Sequence, residues 1–276
     1  MARTDALSII SSGETKDKLA ELSGKLIDSI QKKALSSKLK NTEYSGDPTT
    51  GSVEINRFAN ATLKDYGTAR GNSKGDAIVN SGKVTINIDQ DKEIVEEIAM
   101  KDIEMFGLPG IVERRMNNHV SQYAVAIDKA FFTVAAAAAT AVTTTGLTDI
   151  EDIAEAAIQA VETVENDYVE GVDRSEIVLT LNPAAYGKLR KYIDRVDPGT
   201  SGAEAVNLFH GVRVFSNVRQ SDAIIAMREG SVGQPVRVSD YQPDLIPLSE
   251  DVAVTTFAHF GTKAVTPDLI FKVATV

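Results

Sequence analysis

PGIVERRMNNHVSQYAVAIDKAFFTVAAAAA, residues 109–139, is the stretch that decides the fold. Val112, Met116, Val120, Tyr123, Ile127, Phe131 and Val134 recur along it at three- and four-residue steps. They therefore line one stripe of a helix of about 30 residues, ~45 Å at 1.5 Å per residue. Pro109 suits the first helical position, where its missing N–H costs no bond, and Gly107 breaks whatever precedes it. Ala135 to Ala139 extend the rod, since Ala is the best helix former, and their small side chains let a neighbouring element approach closely. A rod this long dominates a domain in a chain of 276 residues.

N-terminal to the rod, the period changes three times. Residues 14–40 place Leu19, Leu22, Leu26, Ile30, Leu35 and Leu39 at helical spacing among Lys and Glu. Residues 1–40 hold eight Lys and Arg against five acids, so this amphipathic arm is basic and is expected to lie outside the monomer core. After the turn cluster at 45–51, Val53 and Ile55 alternate with polar residues, as do Val84, Ile86 and Ile88. Residues 51–89 thus read as one long hairpin with a polar tip at 66–76. With few large apolar residues it is expected to lean on a neighbouring subunit. From Asp89 a helix is expected to about Met105, with Glu93, Glu96 and Glu97 in its first turns and Ile94, Ile98 and Ile103 on its apolar face.

C-terminal to the rod, 149–166 reads as a helix with Ile150, Ile153, Ala157, Ile158, Val161 and Val164 inward. A strand follows at 177–181, then a helix capped by Asn182 with Pro183 at its first position, and a Gly/Pro loop at 197–202. Short strands are expected at 212–215, 223–227, 236–238, 252–257 and 269–273.

Length supports one large domain or two intimate ones. Lys and Arg total 29 against 39 Asp and Glu, a net charge of −10, the wrong sign for gripping nucleic-acid phosphates. Residues 149–176 concentrate that charge, with ten acids and one Arg. The absence of Cys excludes disulfides, thiolate catalysis and Cys-ligated metals. No apolar run is long enough for a signal peptide or a membrane span, so the chain is expected to be made in the cytoplasm and to have no membrane partner.

Catalytic motifs are weak. Gly71-Asn-Ser73-Lys-Gly75 matches the hydrolase nucleophile elbow in letters, but a strand follows where a helix is needed. Asp89-Gln-Asp91-Lys-Glu93 lacks the Gly and terminal Glu of a calcium loop. Asp149, Glu151, Asp152 and Glu155 read as the solvated face of their helix, and His119 as a packed histidine. No phosphate loop, dinucleotide fingerprint or HExxH occurs, so no catalytic, cofactor-binding or metal-ligating residue is assigned.

The order of these parts, with Gly82-Lys-Val-Thr-Ile-Asn-Ile-Asp-Gln-Asp-Lys-Glu-Ile-Val-Glu-Glu-Ile98, Val125-Ala-Ile-Asp-Lys-Ala-Phe131, Val178-Leu-Thr-Leu-Asn-Pro-Ala-Ala-Tyr-Gly-Lys-Leu189, Gly211-Val-Arg-Val-Phe-Ser216 and Val254-Thr-Thr-Phe-Ala-His-Phe-Gly-Thr-Lys-Ala-Val265, resembles the major capsid protein of tailed bacteriophages. Encapsulins share this Hong Kong-type fold. The resemblance implies an α+β chain with an N-terminal arm at 1–45 and an extended hairpin loop at 46–88. A peripheral domain with the spine helix would follow at 89–145 plus 246–276, and an axial α/β domain at 146–245. It implies a structural protein rather than an enzyme. The subunit would assemble with itself as pentamers and hexamers into an icosahedral virion head, enclosing double-stranded DNA without sequence-specific binding. The short arm points to a separate scaffolding protein beside a portal. Arg70, Lys74, Arg114 and Arg115 are the candidate inter-subunit contacts, and Lys64 and Lys74 are not expected to crosslink. The alternatives are an encapsulin-type nanocompartment shell and a small serine hydrolase using Ser73.

Overall fold

The computed structural model describes residues 2–43, 51–61, 63, 65, 80–196 and 208–276. Its helices are α1 (Ala2–Ser11), α2 (Gly13–Lys33), α3 (Ser36–Leu39), α4 (Met100–Phe106), α5 (Leu108–Ala138), α6 (Ile150–Glu162) and α7 (Pro183–Val196). Its strands before the spine helix α5 are β1 (Ser52–Phe58), β2 (Asn80–Asn87) and β3 (Gln90–Ile98). After it come β4 (Thr140–Ala141), β5 (Glu165–Asn166), β6 (Val169–Glu170), β7 (Ile177–Leu181), β8 (Leu208–Phe209), β9 (Val212–Ser216) and β10 (Ile224–Arg228). The last are β11 (Val232–Gly233), β12 (Val236–Val238), β13 (Gln242–Leu245), β14 (Val252–Phe260), β15 (Lys263–Ala264) and β16 (Ile270–Val273). The chain divides into two compact units, Met1–Lys38 with Ile88–Ala130 and Pro235–Gly261, and Leu39–Asn87 with Phe131–Gln234 and Thr262–Val276.

The first unit is organised by β14. Its residues alternate strictly, with Val252, Val254, Thr256, Ala258 and Phe260 inward. Along one side it pairs antiparallel with β3 from Val252↔Ile98 to Phe260↔Gln90, and along the other with β13 and β12. The inward side chains share a core with Val112, Val120, Tyr123 and Ile127 of the spine helix. The arm at 1–40, expected to lie apart, contributes to that core through α1 and α2. Leu19, Leu22, Leu26 and Ile30 on α2 are buried in it, because a stripe of four large aliphatics is worth more in a core than in water. Polar ties fix the arm further: Ser23 Oγ accepts from the Tyr241 N–H at 2.9 Å, and Asp128 Oδ1 from the Ser36 N–H at 2.9 Å.

The expected helix at 89–105 is corrected. Residues 90–98 form a strand, and only Met100–Phe106 is helical. Ile94 and Ile98 fit a period of two as well as of four, and the open flank of β14 selects the strand. As a result Glu96 turns inward with Ile94 and Ile98, while Val95 is left 54% exposed. The helix that remains gets its N-terminal partner from outside, since the Met100 N–H donates to Asp251 Oδ1 at 3.1 Å.

The second unit holds a six-stranded mixed sheet in the order β4-β16-β10-β7-β9-β8. Every residue of β7 is buried, as a continuous apolar run in mid-sheet requires. Ile150, Ile153, Ala157, Ile158 and Val161 of α6 pack in its core with Ala185 and Leu189 of α7. Asn182 caps α7 as expected, its Oδ1 accepting from the Ala185 N–H at 2.8 Å. Strand β16 sits in this sheet beside β10, so of the 246–276 segment that the sequence reading placed with the spine helix, 262–276 groups in this unit with the end of that helix from Phe131, and the residues up to Gly261 group with its earlier part.

The hairpin strands β1 and β2 pair from Ser52↔Asn87 to Phe58↔Asn80, and their base rests on the same chain. Val53, Ile55 and Ile86 are buried with Val265. Gly233 leaves room for this packing, because a Cβ there would press on Ile86 Cδ1, Ile55 Cδ1 and Val265 Cγ2. The expected dependence on a neighbour therefore does not hold for the base. The tip at 66–76 lies outside the described residues, as does the loop at 197–202.

Leu26→Ala should destabilise the chain by about 2–5 kcal/mol in urea unfolding, the cost of a cavity in a packed core. An unchanged midpoint would mean that the arm is not part of the folded unit.

Candidate functional site

Arg114 and Arg115, singled out from the sequence, line a surface groove of about 580 Å³ in the first unit. The other lining residues are Glu96, Glu97 and Ile98 at the end of β3, Asp102 and Phe106 on α4, and Ile111 on the spine helix. The groove exists because β3 stops at Ile98 and the chain turns twice, through α4 and Gly107, before the spine begins. Phe106 is 46% exposed and Met105 beside it 72% exposed, unusual for large apolar side chains on a helix of this size.

The two arginines do different work. Arg115 is engaged within the chain: its Nε donates to Glu96 Oε1 at 2.9 Å and its Nη2 to the same carboxylate. Those hydrogen bonds hold the Glu96 carboxyl below its ordinary range, against the upward push of partial burial. Glu96 also faces His119, whose Nε2 lies 3.1 Å from Oε2 without the alignment of a good hydrogen bond. His119 Nδ1 shares a 2.8 Å hydrogen bond with the Tyr241 hydroxyl, and burial raises the Tyr241 pKa well above that of a free phenol. This network ties strand, spine and the β12–β13 connection together beneath the groove. Arg114 instead sits over Phe106, its guanidinium carbon 4.5 Å from the ring centroid, and has no ion-pair partner among the described residues.

Arg70 and Lys74 lie outside the described residues, as do Ser73 and Lys64. Of the three histidines, His119 faces Glu96 and Tyr241, His210 faces Glu155 and His259 faces Asp91; no serine is among those partners. No cluster of three or more potential metal ligands occurs among the described residues, and no described helix is long and apolar enough to cross a membrane.

Two polar clusters in the second unit escaped the sequence reading, because their members are far apart in the chain. Arg57 in β1 makes a two-pronged pair with Asp268 at 2.8 and 2.6 Å and stacks 4.0 Å from the Tyr168 ring centroid. Asn166 donates to the same carboxylate at 2.7 Å, so the hairpin base is bound by charge as well as by apolar contact. Arg174 joins Glu155 and Glu162, donating from Nε to Glu162 Oε1 at 2.6 Å, and its Nη1 donates to the His210 carbonyl at 3.2 Å. His210 and Gly211, with φ of 46° and 87°, form the two-residue turn between β8 and β9, where a primed turn needs positive φ at both positions.

Burial alone would raise the Glu155 pKa, but hydrogen bonds from Arg174, His210 and Gln159 outweigh it and bring it down from 4.5 to about 2. A carboxylate depressed in the folded state contributes its full stability above the unfolded pKa and loses it as pH falls through the folded value. The wild-type chain should therefore lose on the order of 2–3 kcal/mol between about pH 5 and 2 through this group. Glu155→Gln should flatten that part of the pH–stability curve in denaturant titrations, and an unchanged curve would contradict the assignment.

No protein-family model matches the chain, and no curated protein sequence matches it. Solved structures do. A structure from Mycobacterium phage Che8 superposes at a TM-score of 0.62 and 20% identity, covering 87% of this chain and 90% of that one. The capsid structure of the cyanophage P-SCSP1u gives 0.58 at 15% identity over 88% of each chain. A virus-like particle from Pyrococcus furiosus gives 0.59 at 13% identity over 92% of this chain and 97% of that one. With its spine helix, paired sheets and long hairpin strands in this order, the chain has the α+β fold of the phage major capsid proteins.

Proposed function

We propose that the chain is the repeating subunit of a capsid-type shell. It is the major capsid protein of a tailed double-stranded DNA phage, joined as pentamers and hexamers into an icosahedral head. The observation that carries this reading is the fold likeness, which runs over nearly the whole length of both chains rather than over one shared module. The physical properties support it. Each unit has its own core, and the chain leaves large apolar and charged groups on its surface, Phe106, Met105 and Arg114 among them. Many modest contacts repeated over many copies make a strong wall. A net charge of −10 suits a wall that encloses DNA without holding it.

The partners of this reading are other copies of the chain, a separate scaffolding protein and a portal, with the assembled protein located in the virion. Its role is structural, and Arg70, Lys74 and Arg114 are the side chains offered to neighbours, Arg115 being already paired with Glu96. The likeness to the Pyrococcus furiosus virus-like particle supports a second reading, an encapsulin-type compartment shell. Cargo enzyme inside purified particles would favour that reading, and dependence on a portal and scaffold the first.

Size-exclusion chromatography and negative-stain electron microscopy of the chain, expressed alone and with its scaffold, should yield closed shells or capsomers. A strictly monomeric protein under all conditions would overturn both readings. Gly233→Val should act on the hairpin base, forcing Ile86 aside, and give soluble subunits that do not close shells. Normal particles from that variant would show that the position of the base is immaterial.

A further inference from the structure

Beyond the general expectation that copies meet, the groove at the start of the spine identifies one contact. Its lining joins the apolar Ile98, Phe106 and Ile111 to side chains of both charges, and Phe106 stands half exposed among them. Among the described residues neither Arg114 nor Glu97 nor Asp102 forms an ion pair, while the adjacent Arg115 and Glu96 are spent on each other. Contact with the Phe106 ring does not neutralise the Arg114 guanidinium, whose five N–H donors can still serve a carboxylate.

A partner must therefore supply an apolar centre, an acid opposite Arg114 and a base opposite Glu97 and Asp102. A second copy of this groove supplies all three when turned about a twofold axis, because a surface that is charged oppositely on its two flanks is complementary to itself. A partner bearing one sign of charge would leave the other rim desolvated and unpaired.

We infer that two copies of the chain dock groove to groove, the Phe106 rings meeting near the axis and Arg114 of each copy facing Glu97 and Asp102 of the other. The inference rests on the shell reading only in requiring that copies meet, and it specifies one of the contacts through which they do.

Charge reversal in the full chain tests it. Arg114→Glu alone, and Glu97→Arg with Asp102→Arg alone, should each raise the concentration needed for self-association by roughly tenfold or more in sedimentation velocity, since each sets like charges across the contact. An equimolar mixture of the two should regain wild-type association, because every reversed rim then meets its complement. Single variants that associate like the wild type, or a mixture that stays dissociated, would overturn the inference.

Cysteine placement gives a second, independent reading. The chain has no Cys, so Phe106→Cys provides one thiol per copy near the axis; the space vacated by the two rings is too wide for a disulfide and is spanned by a short bis-maleimide linker if the docking is right. Treatment with that linker should yield a covalent dimer on denaturing gels, and Val218→Cys, more exposed than Phe106 and on the other unit, should not. Wild-type shells alongside an unlinked Phe106→Cys chain would overturn the docking and leave the shell reading standing. A linked Phe106→Cys dimer from a chain that never builds shells would uphold the docking and sink the shell reading.

Discussion

The antiparallel pairing of β3 with β14 is the constraint on which the first unit depends. Nine residues of each strand are held in register, and that register decides which side chains go inward. It places Glu96 under Arg115 and His119, sets Ile98 as the last inward residue, and ends where Asp251 can satisfy the first N–H of α4. A slip of one residue would turn Glu96 out and Val95 and Glu97 in. The buried polar network would then lose its acid, and the groove part of its apolar lining. Local polar chemistry and the exposed surface are thus consequences of one strand pairing.

The spine helix was legible because seven large residues at helical spacing leave no competing period. The strand at 177–181 and its capped successor were legible for similar reasons, an uninterrupted apolar run followed by Asn182 and Pro183. Strand β3 was not. Ile94, Val95 and Ile98 suit a helix or a strand, and the acids Glu93, Glu96 and Glu97 mimic a helix N-terminus, so only the partner strand some 160 residues later resolves the choice. The arm was misplaced for a different reason. Its basic exterior drew attention from an apolar stripe that is ordinary core material.

The candidate site was legible in part. Arg114 and Arg115 stood out as adjacent cations on the spine, but the sequence could not say that one is spent within the chain and the other is not. That distinction depends on Glu96 facing inward. The anchors of the hairpin base were invisible for a related reason, since Arg57 and Asp268 are separated by 211 residues and Gly233 carries no side chain to attract notice. A glycine pressed against three buried aliphatics is a packing requirement that only three-dimensional placement reveals.

The central claim is that this fold serves as a repeating wall unit, and a cryo-electron microscopy reconstruction of the assembled chain tests it most directly. The account predicts closed particles in which this same subunit, with the β3–β14 pairing intact, is arranged around fivefold and sixfold centres. A chain that remains monomeric, or particles whose subunits have rearranged that sheet to assemble, would contradict it.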